Sequence, residues 1–228
     1  MKLVCFDIDG TLIWTDGAGR RAIHRALLEV LGTAGPIAAF RFDGRTDGEI
    51  VWQLGEAAGL AMDHALVTRV LERYVADLAA ELARPGHHTH VYPGIPELLD
   101  ALERRDDCLL GLVTGNVADG ARLKLGSAGI DFARFRFGGF GSDSHVRAEL
   151  PDVALGRACA ALGTMLPGAN IVIVGDTPAD MQCGTGIGAR AIGVGTAAYT
   201  PLQLLEAGAH VAFTDLSETE RVVEAILA

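Results

Sequence analysis

Two short runs of the chain are almost continuously apolar, and they limit its fold more than any other feature. They are CLLGLVT (residues 108–114) and NIVIVG (residues 170–175). A strand with one face in water alternates apolar and polar residues, whereas a strand covered on both faces gives unbroken apolar runs. Shorter apolar runs lie at 2–6, 190–194 and 210–213, and helical patterns lie between the runs. This alternation predicts an α/β fold with a doubly wound parallel sheet.

One region interrupts the alternation of strands and helices. Between about residues 17 and 85 the apolar residues keep helical spacing, and no segment resembles a strand. We therefore predict an all-helical insert at 17–85, placed after the first strand. The catalytic core would then comprise residues 1–16 and 86–228.

Composition excludes several classes of protein. The formal net charge is −10, and no run of Lys or Arg is present, so a nucleic-acid partner is not expected. No uncharged stretch approaches the ~18 residues of a membrane span. The four cysteines form no C-x-x-C pair, which argues against a disulfide or zinc framework and favours buried thiols in the cytoplasm.

The predicted strands run directly into polar residues. The carboxyl ends of parallel strands are where α/β proteins bind ligands. These polar residues are Asp7 and Asp9 after the first strand, Thr114, Gly115 and Asn116 after the 108–113 run, and Asp176 and Asp180 after the 170–174 run. Carboxylates crowded at one edge repel one another unless a cation intervenes. The cluster therefore predicts a Mg²⁺ site that faces an anionic substrate.

Three of these segments carry a family resemblance. DIDGT (7–11), LVTGN (112–116) and VGDTPAD (174–180) resemble, in order, motifs one, two and four of the haloacid dehalogenase (HAD) superfamily. The insert resembles the helical cap of its phosphoglycolate phosphatase-like and β-phosphoglucomutase-like members. The resemblance covers essentially the whole chain, and it implies a Rossmann-like core with an all-helical cap.

The resemblance also implies a role for each motif residue. Asp7 would be the nucleophile that forms an aspartyl-phosphate, and Asp9 would be the general acid and then the general base. Thr114 would bind the transferring phosphoryl group. Asp176 would ligate Mg²⁺ together with Asp7 and the backbone carbonyl of Asp9, and Asp180 would hold the metal shell or Asp176 in place. Glycine and polar neighbours in the motifs are expected to line the phosphoryl site, namely Gly10, Thr11, Gly115 and Asn116.

Motif three should supply a cation that balances the nucleophile and the phosphoryl charge. The corresponding segment, SHVRAELPDVAL (144–155), has no Lys. Arg147 is the candidate, because a guanidinium stays charged and binds phosphate oxygens. It lies one residue off the commoner Lys position, so a surface position is the alternative.

The cap is expected to choose the substrate through its loop FDGRTDGE (42–49). In this loop Arg45 could meet a second anionic group, and Thr46 could donate a hydrogen bond to a hydroxyl or phosphate of the substrate. Both are hypotheses from loop position and residue type. A solvated surface charge is the simpler interpretation of Arg45.

The resemblance implies a Mg²⁺-dependent phosphatase acting on a small soluble phosphate ester. The Asp at position 9 favours phosphoryl transfer, because dehalogenases of the superfamily do not need a second Asp there. One alternative is a phosphomutase of the β-phosphoglucomutase type. Another, from a different class, is a receiver-like phosphoacceptor without enzymatic activity. The sequence leaves the oligomeric state open.

Overall fold

A sheet of six parallel strands forms the centre of the molecule, which a computed structural model describes over residues 1–228. In chain order the strands of the protein are β1 (Lys2–Phe6), β2 (Ile13–Trp14), β3 (His90–Val91), β4 (Cys108–Thr114), β5 (Phe137–Phe140), β6 (Ile171–Gly175), β7 (Arg190–Val194) and β8 (Val211–Phe213). The sheet order is β5–β4–β1–β6–β7–β8, and every pairing in it is parallel. The predicted α/β fold class is confirmed.

Nine α-helices surround and extend this sheet. They are α1 (Ala18–Leu31), α2 (Asp47–Ala57), α3 (His64–Leu82), α4 (Ile95–Glu103), α5 (Ala118–Ser127), α6 (Leu150–Leu162), α7 (Pro178–Cys183), α8 (Pro201–Glu206) and α9 (Thr219–Leu227). None of them is both long and apolar enough to span a bilayer.

The central strands are covered on both faces, as their apolar sequences predict. All seven residues of β4 are buried. On one face the core includes Leu98 of α4, Leu125 of α5 and Val222 of α9. On the other face it includes Leu150 and Ala154 of α6. The sheet therefore lies between two helical layers, which leaves its carboxyl edge free to carry polar groups.

Helices α1, α2 and α3 pack mainly on one another. Their buried apolar side chains form a second core, which includes Ile23, Leu54 and Tyr74 and to which the sheet region contributes Val117. The structure contains no strand between α1 and α3. We call residues 17–85 the cap, following the predicted boundaries. The two connections between cap and core pair as the short antiparallel strands β2 and β3.

Strand β5 at one edge of the sheet was not predicted. Its sequence, FGGF, lacks the apolar run that identified the other five strands. Packing explains why glycine stands at position 139 of this strand, because a Cβ there would lie 2.0 Å from the carbonyl oxygen of Leu150. Close packing against the start of α6 therefore requires a residue type that disfavours strands in general.

Candidate active site

The ends of the three central strands meet in one cavity. Strands β4, β1 and β6 are neighbours, and Thr114, Asp7 and Asp176 come at or directly after their carboxyl ends. All three residues line a cavity of about 280 Å³. The cap supplies its other wall with residues that include Arg45 and Ile50. The expected convergence of distant segments at one sheet edge is therefore observed.

Three carboxylates lie close together at the base of the cavity. Asp7, Asp176 and Asp180 are buried, and one oxygen from each lies within 4.8 Å of the others. Burial raises the pKa of Asp7 to about 6, against the opposing charge of Arg147. Burial also raises the pKa of Asp176 well above its usual value, and the charges of Asp180 and Asp7 act in the same direction. Both shifts disfavour the charged forms of these carboxyl groups unless a cation lies beside them.

Arg147 is the cation that lies beside this cluster. The residue is 8% exposed, and a guanidinium nitrogen lies 3.3 Å from Oδ1 of Asp7. The same nitrogen donates to Oδ1 of Asp180. Arg147 is thus in a buried ion pair at the cavity, and the alternative of a surface position does not hold.

Asp180 has both carboxylate oxygens engaged by the protein. Oδ1 accepts from Arg147, and Oδ2 accepts from the Thr177 hydroxyl at 2.6 Å and from the Thr177 backbone N–H at 3.1 Å. The Thr177 hydroxyl in turn caps α7 at the backbone N–H of Asp180. Asp180 is therefore placed to orient Arg147 and the loop after β6, in addition to its position in the carboxylate cluster.

The residues at the base of the cavity fit a hard divalent cation. The Thr11 hydroxyl donates to Oδ1 of Asp176 at 3.0 Å, which leaves Oδ2 without a protein donor. Gly10 has a φ of +85°, and a Cβ there would lie 2.3 Å from that same Oδ2. The backbone of the first motif thus packs directly against the Asp176 carboxylate. Buried carboxylate oxygens, crowded and only partly neutralised, are the donor set that Mg²⁺ prefers.

Asp9 has a different environment from the buried cluster. Its side chain is 35% exposed. Its Oδ2 accepts from the Lys124 ammonium at 2.6 Å and from the Asn116 amide nitrogen at 2.9 Å. The Asn116 amide nitrogen also donates to the Thr114 hydroxyl at 2.8 Å. Asn116 therefore connects the ends of β1 and β4.

Lys124 was missed by the sequence reasoning. It lies on α5, is 5% exposed and lines the cavity. Burial alone would lower the pKa of Lys124, but Asp9 and Asp47 outweigh it, so the pKa is raised and the side chain is charged. A signal was present, because Lys124 follows Ala121 by three residues and precedes Leu125 on the buried side of the helix.

The two predicted cap residues differ in position. Arg45 lines the cavity, where its guanidinium pairs with Glu49. Thr46 is fully buried and does not line the cavity. The Thr46 hydroxyl donates to the carbonyl of His145 at 2.9 Å and accepts from the backbone N–H of Glu49 at 3.1 Å. Thr46 therefore caps α2 and ties the cap to the core, and the structure gives no support to a substrate contact by its side chain.

The cap loop also contacts the second motif through Asp47, which the sequence reasoning did not select. The backbone N–H of Asp47 donates to the Gly115 carbonyl at 2.8 Å, and its carboxylate accepts from the backbone N–H of Val117 at 2.9 Å. A Cβ on Gly115 would lie 2.1 Å from the Arg45 carbonyl oxygen. Burial raises the pKa of Asp47 to about 6, although Lys124 and the Val117 N–H oppose the shift.

Comparison with known proteins agrees with this geometry. The family model described as haloacid dehalogenase-like hydrolase matches residues 4–185. A phosphoglycolate phosphatase of Pseudomonas putida is 27% identical over 201 residues, which are 85% of this chain and 69% of that protein.

Solved structures with the same fold include a hydrolase from Pseudomonas syringae, with a TM-score of 0.75, 21% identity and 99% of each chain covered. CbbY from Rhodobacter sphaeroides, solved in complex with phosphate, has a TM-score of 0.70, 18% identity and 96% of each chain covered. The family model spans most of the chain and includes the first, second and fourth motifs. The protein therefore belongs to the haloacid dehalogenase-like hydrolases and is an enzyme.

Proposed function

We propose that this enzyme is a Mg²⁺-dependent phosphomonoesterase that cleaves a small soluble phosphate ester through an aspartyl-phosphate on Asp7. The observation that carries the proposal is the contact of Asp7 with Arg147 in a cavity that also holds Asp9 and Asp176. This arrangement supplies a nucleophile, a proton carrier and positive charge for phosphoryl oxygens. The relationship to a phosphoglycolate phosphatase supports the same reaction class.

The proposed metal ligands are Asp7, Asp176 and the backbone carbonyl of Asp9. A bound Mg²⁺ would stabilise negative charge on the phosphoryl oxygens. Asp180 is proposed to act through Arg147, since both of its oxygens are engaged by protein donors. The motif-three assignment of Arg147 is supported by its burial beside the nucleophile.

In the first proposed step a carboxylate oxygen of Asp7 attacks phosphorus. The bond between phosphorus and the ester oxygen breaks as the new bond forms, and Asp9 gives its proton to the departing oxygen. Arg147 and the Thr114 hydroxyl bind the oxygens of the phosphoryl group while it moves. Such proton transfer typically contributes about 10²–10⁴ in rate.

In the second step water attacks the phosphorus of the aspartyl-phosphate. Asp9, now a carboxylate, accepts a proton from that water, and the bond between phosphorus and the Asp7 oxygen breaks. Phosphate leaves, Asp7 regains its carboxylate, and Asp9 regains its proton. One difficult displacement is thus divided into two easier ones.

The size of the cavity supports a small substrate. A volume of about 280 Å³ is near the lower end for ligand pockets, and part of it must hold the phosphoryl group. We propose that residues 17–85 act as a cap that moves to admit substrate and closes to exclude water. Contacts of Thr46 and Asp47 with the core support this assignment for the closed state.

Phosphate release from esters by the purified protein tests the proposal. We expect turnover of a generic aryl phosphate and of short alkyl phosphates with Mg²⁺, and its loss with EDTA. Asp7→Asn should lower kcat by more than ~10³, because the amide is a poor nucleophile. Asp152→Asn, which removes an exposed carboxylate on α6, is the matched control and should retain activity.

Two outcomes would contradict the proposal. Unchanged turnover in the Asp7→Asn variant would remove the nucleophile. Conversion of a sugar phosphate into its isomer without release of free phosphate would assign the enzyme to the mutases. Phosphate release without a partner kinase separates the proposed enzyme from a receiver-like phosphoacceptor.

A further inference from the structure

We propose that Lys124 is a positioning residue for the general acid: it fixes the Asp9 carboxyl group for proton transfer, and Asp47 of the cap is its counter-charge. The inference rests on the proposed function, because it assigns Lys124 a part in the chemistry of Asp9. It adds a residue that none of the sequence motifs contains.

The hydrogen bonds at Asp9 distinguish its two oxygens. Lys124 and Asn116 both donate to Oδ2, at 2.6 Å and 2.9 Å. An oxygen that accepts from an ammonium and an amide N–H cannot also present a hydroxyl hydrogen to them. The proton of the acid form therefore resides on Oδ1. Lys124 thus determines which oxygen carries the proton that goes to the leaving group.

Lys124 also determines the orientation of Asn116. Its ammonium donates to Oδ1 of Asn116 at 2.6 Å, so the amide nitrogen faces Asp9 and Thr114. Because the Thr114 hydroxyl oxygen accepts from that amide, its hydrogen is free to donate to the phosphoryl group or to Asp7. One buried cation therefore orients polar groups at the ends of β1 and β4.

The cap covers the Lys124 ammonium in this closed arrangement. Gly19 of α1 lies against it, since a Cβ at this position would be 3.3 Å from Nζ. Asp47 lines the same cavity and is held by the N–H of Val117, immediately before α5. Charge interactions strengthen when water is removed. The contact between Lys124 and Asp9 is therefore strongest with the cap closed, when proton transfer takes place.

A positioning role has a kinetic signature that a purely structural role lacks. An alkyl leaving group needs a proton as the phosphorus–oxygen bond breaks, whereas p-nitrophenolate leaves without one. The value of kcat/KM reports the steps up to transfer of the phosphoryl group to Asp7. Loss of Lys124 should therefore lower kcat/KM much more for an alkyl phosphate than for p-nitrophenyl phosphate.

The experiment compares Lys124→Met with wild type on these two substrates. We expect kcat/KM to fall ~10²-fold for the alkyl phosphate and less than ~10-fold for p-nitrophenyl phosphate, within the range of general acid catalysis. Inhibition by inorganic phosphate should change less than ~2-fold, because Lys124 acts through Asp9. Arg122→Met removes a cation from the same helix, where it stacks on Phe132, and should leave both substrates unaffected.

A double-variant comparison tests whether Lys124 acts through Asp9. In an Asp9→Asn background, adding Lys124→Met should lower kcat/KM for the alkyl phosphate by less than a further ~3-fold. The reason is that residues that act as one unit have non-additive effects. If Lys124→Met fails to fold, Asp47→Asn combined with Lys124→Met removes both buried charges and should keep the same selective loss. Circular dichroism and thermal melting establish folding for each variant.

Equal losses on both substrates, or losses that multiply in the Asp9→Asn background, would overturn the role of Lys124 while leaving the phosphatase assignment intact. A wild-type enzyme that releases phosphate from neither ester would instead overturn the proposed function itself. The two failures therefore give different results.

Discussion

The core wall and the cap wall of the cavity differ in what their charged groups contact. On the core wall, Asp7 and Asp176 each contact other protein groups yet keep oxygens that face the cavity region. On the cap wall, Arg20 donates to the carbonyls of Ile37 and Phe40, at 2.8 Å and 2.9 Å. Arg45 pairs with Glu49. The core therefore offers incompletely satisfied charge, whereas these cap cations are already engaged by the cap itself.

This difference indicates a division of roles. Burial, together with the neighbouring carboxylates, raises the pKa values of Asp7 and Asp176, and a bound cation would offset both effects. Engaged arginines instead hold the loop in shape, so a second anion on the substrate would have to compete with Glu49 for Arg45. We infer that the core residues carry out the chemistry and that the cap closes the cavity. Four predictions test this difference between the two walls.

The largest effect is expected on the core wall, at Gly10. Gly10→Ala would place a Cβ 2.3 Å from Oδ2 of Asp176 in a backbone with a φ of +85°. The displaced carboxylate should weaken Mg²⁺ binding about 10–100-fold. Misplaced reacting groups add a cost of about 10², so we expect kcat/KM at subsaturating Mg²⁺ to fall on the order of 10³ or more.

The matched control for that variant is Gly129→Ala. Gly129 has a φ of +73°, but its Cβ would meet nothing within 4 Å. The control carries the same type of backbone strain without the clash, and Mg²⁺ titration of phosphate release compares the two. If both variants bind Mg²⁺ as wild type does, contact between Gly10 and Asp176 does not shape the metal site.

Most of the core wall was predictable from sequence, whereas the seam between core and cap was not. Asp7, Thr114 and Asp176 follow apolar runs, so strand position alone brings them to one edge. Lys124 and Asp47 instead reach the cavity through helix packing and cap docking. Helical spacing places Lys124 on the buried side of α5, but the groups that Lys124 and Asp47 contact depend on tertiary packing that no local pattern encodes.

Glycine accounts for part of what the sequence reasoning missed. No local pattern in the sequence requires glycine at position 139, yet close packing on α6 leaves no room for a side chain there. Strand β5 was overlooked for this reason, because its composition opposes the propensity on which strand prediction depends.

The next effect in size concerns the pH dependence of stability at Asp47. Its folded-state pKa is about 6, above its reference value of 3.8. As the pH rises from the lower pKa to the higher one, Asp47 loses its proton in the unfolded chain before it does so in the folded protein. The free energy of unfolding therefore falls. The full loss amounts to about 3 kcal/mol by linkage. Asp47→Asn has no carboxyl group to titrate at this position and so avoids this loss. The free energy of unfolding of the variant, relative to that of wild type, should therefore increase between pH 4 and pH 7.

Urea unfolding of both proteins at several pH values measures that change. The control is Asp119→Asn, which replaces an exposed acid in the first turn of α5. The difference in free energy of unfolding between this variant and wild type should stay nearly constant with pH. A pH-independent difference for Asp47→Asn would mean that the closed cap does not bury this carboxylate in solution.

A smaller effect is expected where the cap loop meets the second motif. Gly115→Ala would place a Cβ 2.1 Å from the Arg45 carbonyl oxygen and displace the Asp47 N–H from the Gly115 carbonyl. Loss of one backbone hydrogen bond at the seam costs about 1 kcal/mol, so we expect KM to rise ~5–10-fold. Gly126→Ala on α5, whose Cβ would meet nothing within 4 Å, should leave KM unchanged. An unchanged KM in Gly115→Ala would separate cap docking from substrate binding.

The smallest effect is expected for Thr46→Ala, and it separates a seam residue from a substrate contact. The variant loses the helix cap at Glu49 and the hydrogen bond to the His145 carbonyl. We expect about 1 kcal/mol of lost stability, which is ~2–4 °C in Tm for a chain of this size. Because Thr46 does not line the cavity, kcat/KM should fall by the same factor for every ester. Thr46→Ser keeps the hydroxyl and should restore both the stability and kcat/KM. A loss of kcat/KM that varies with the alcohol portion of the ester would instead show that the Thr46 side chain contacts the substrate.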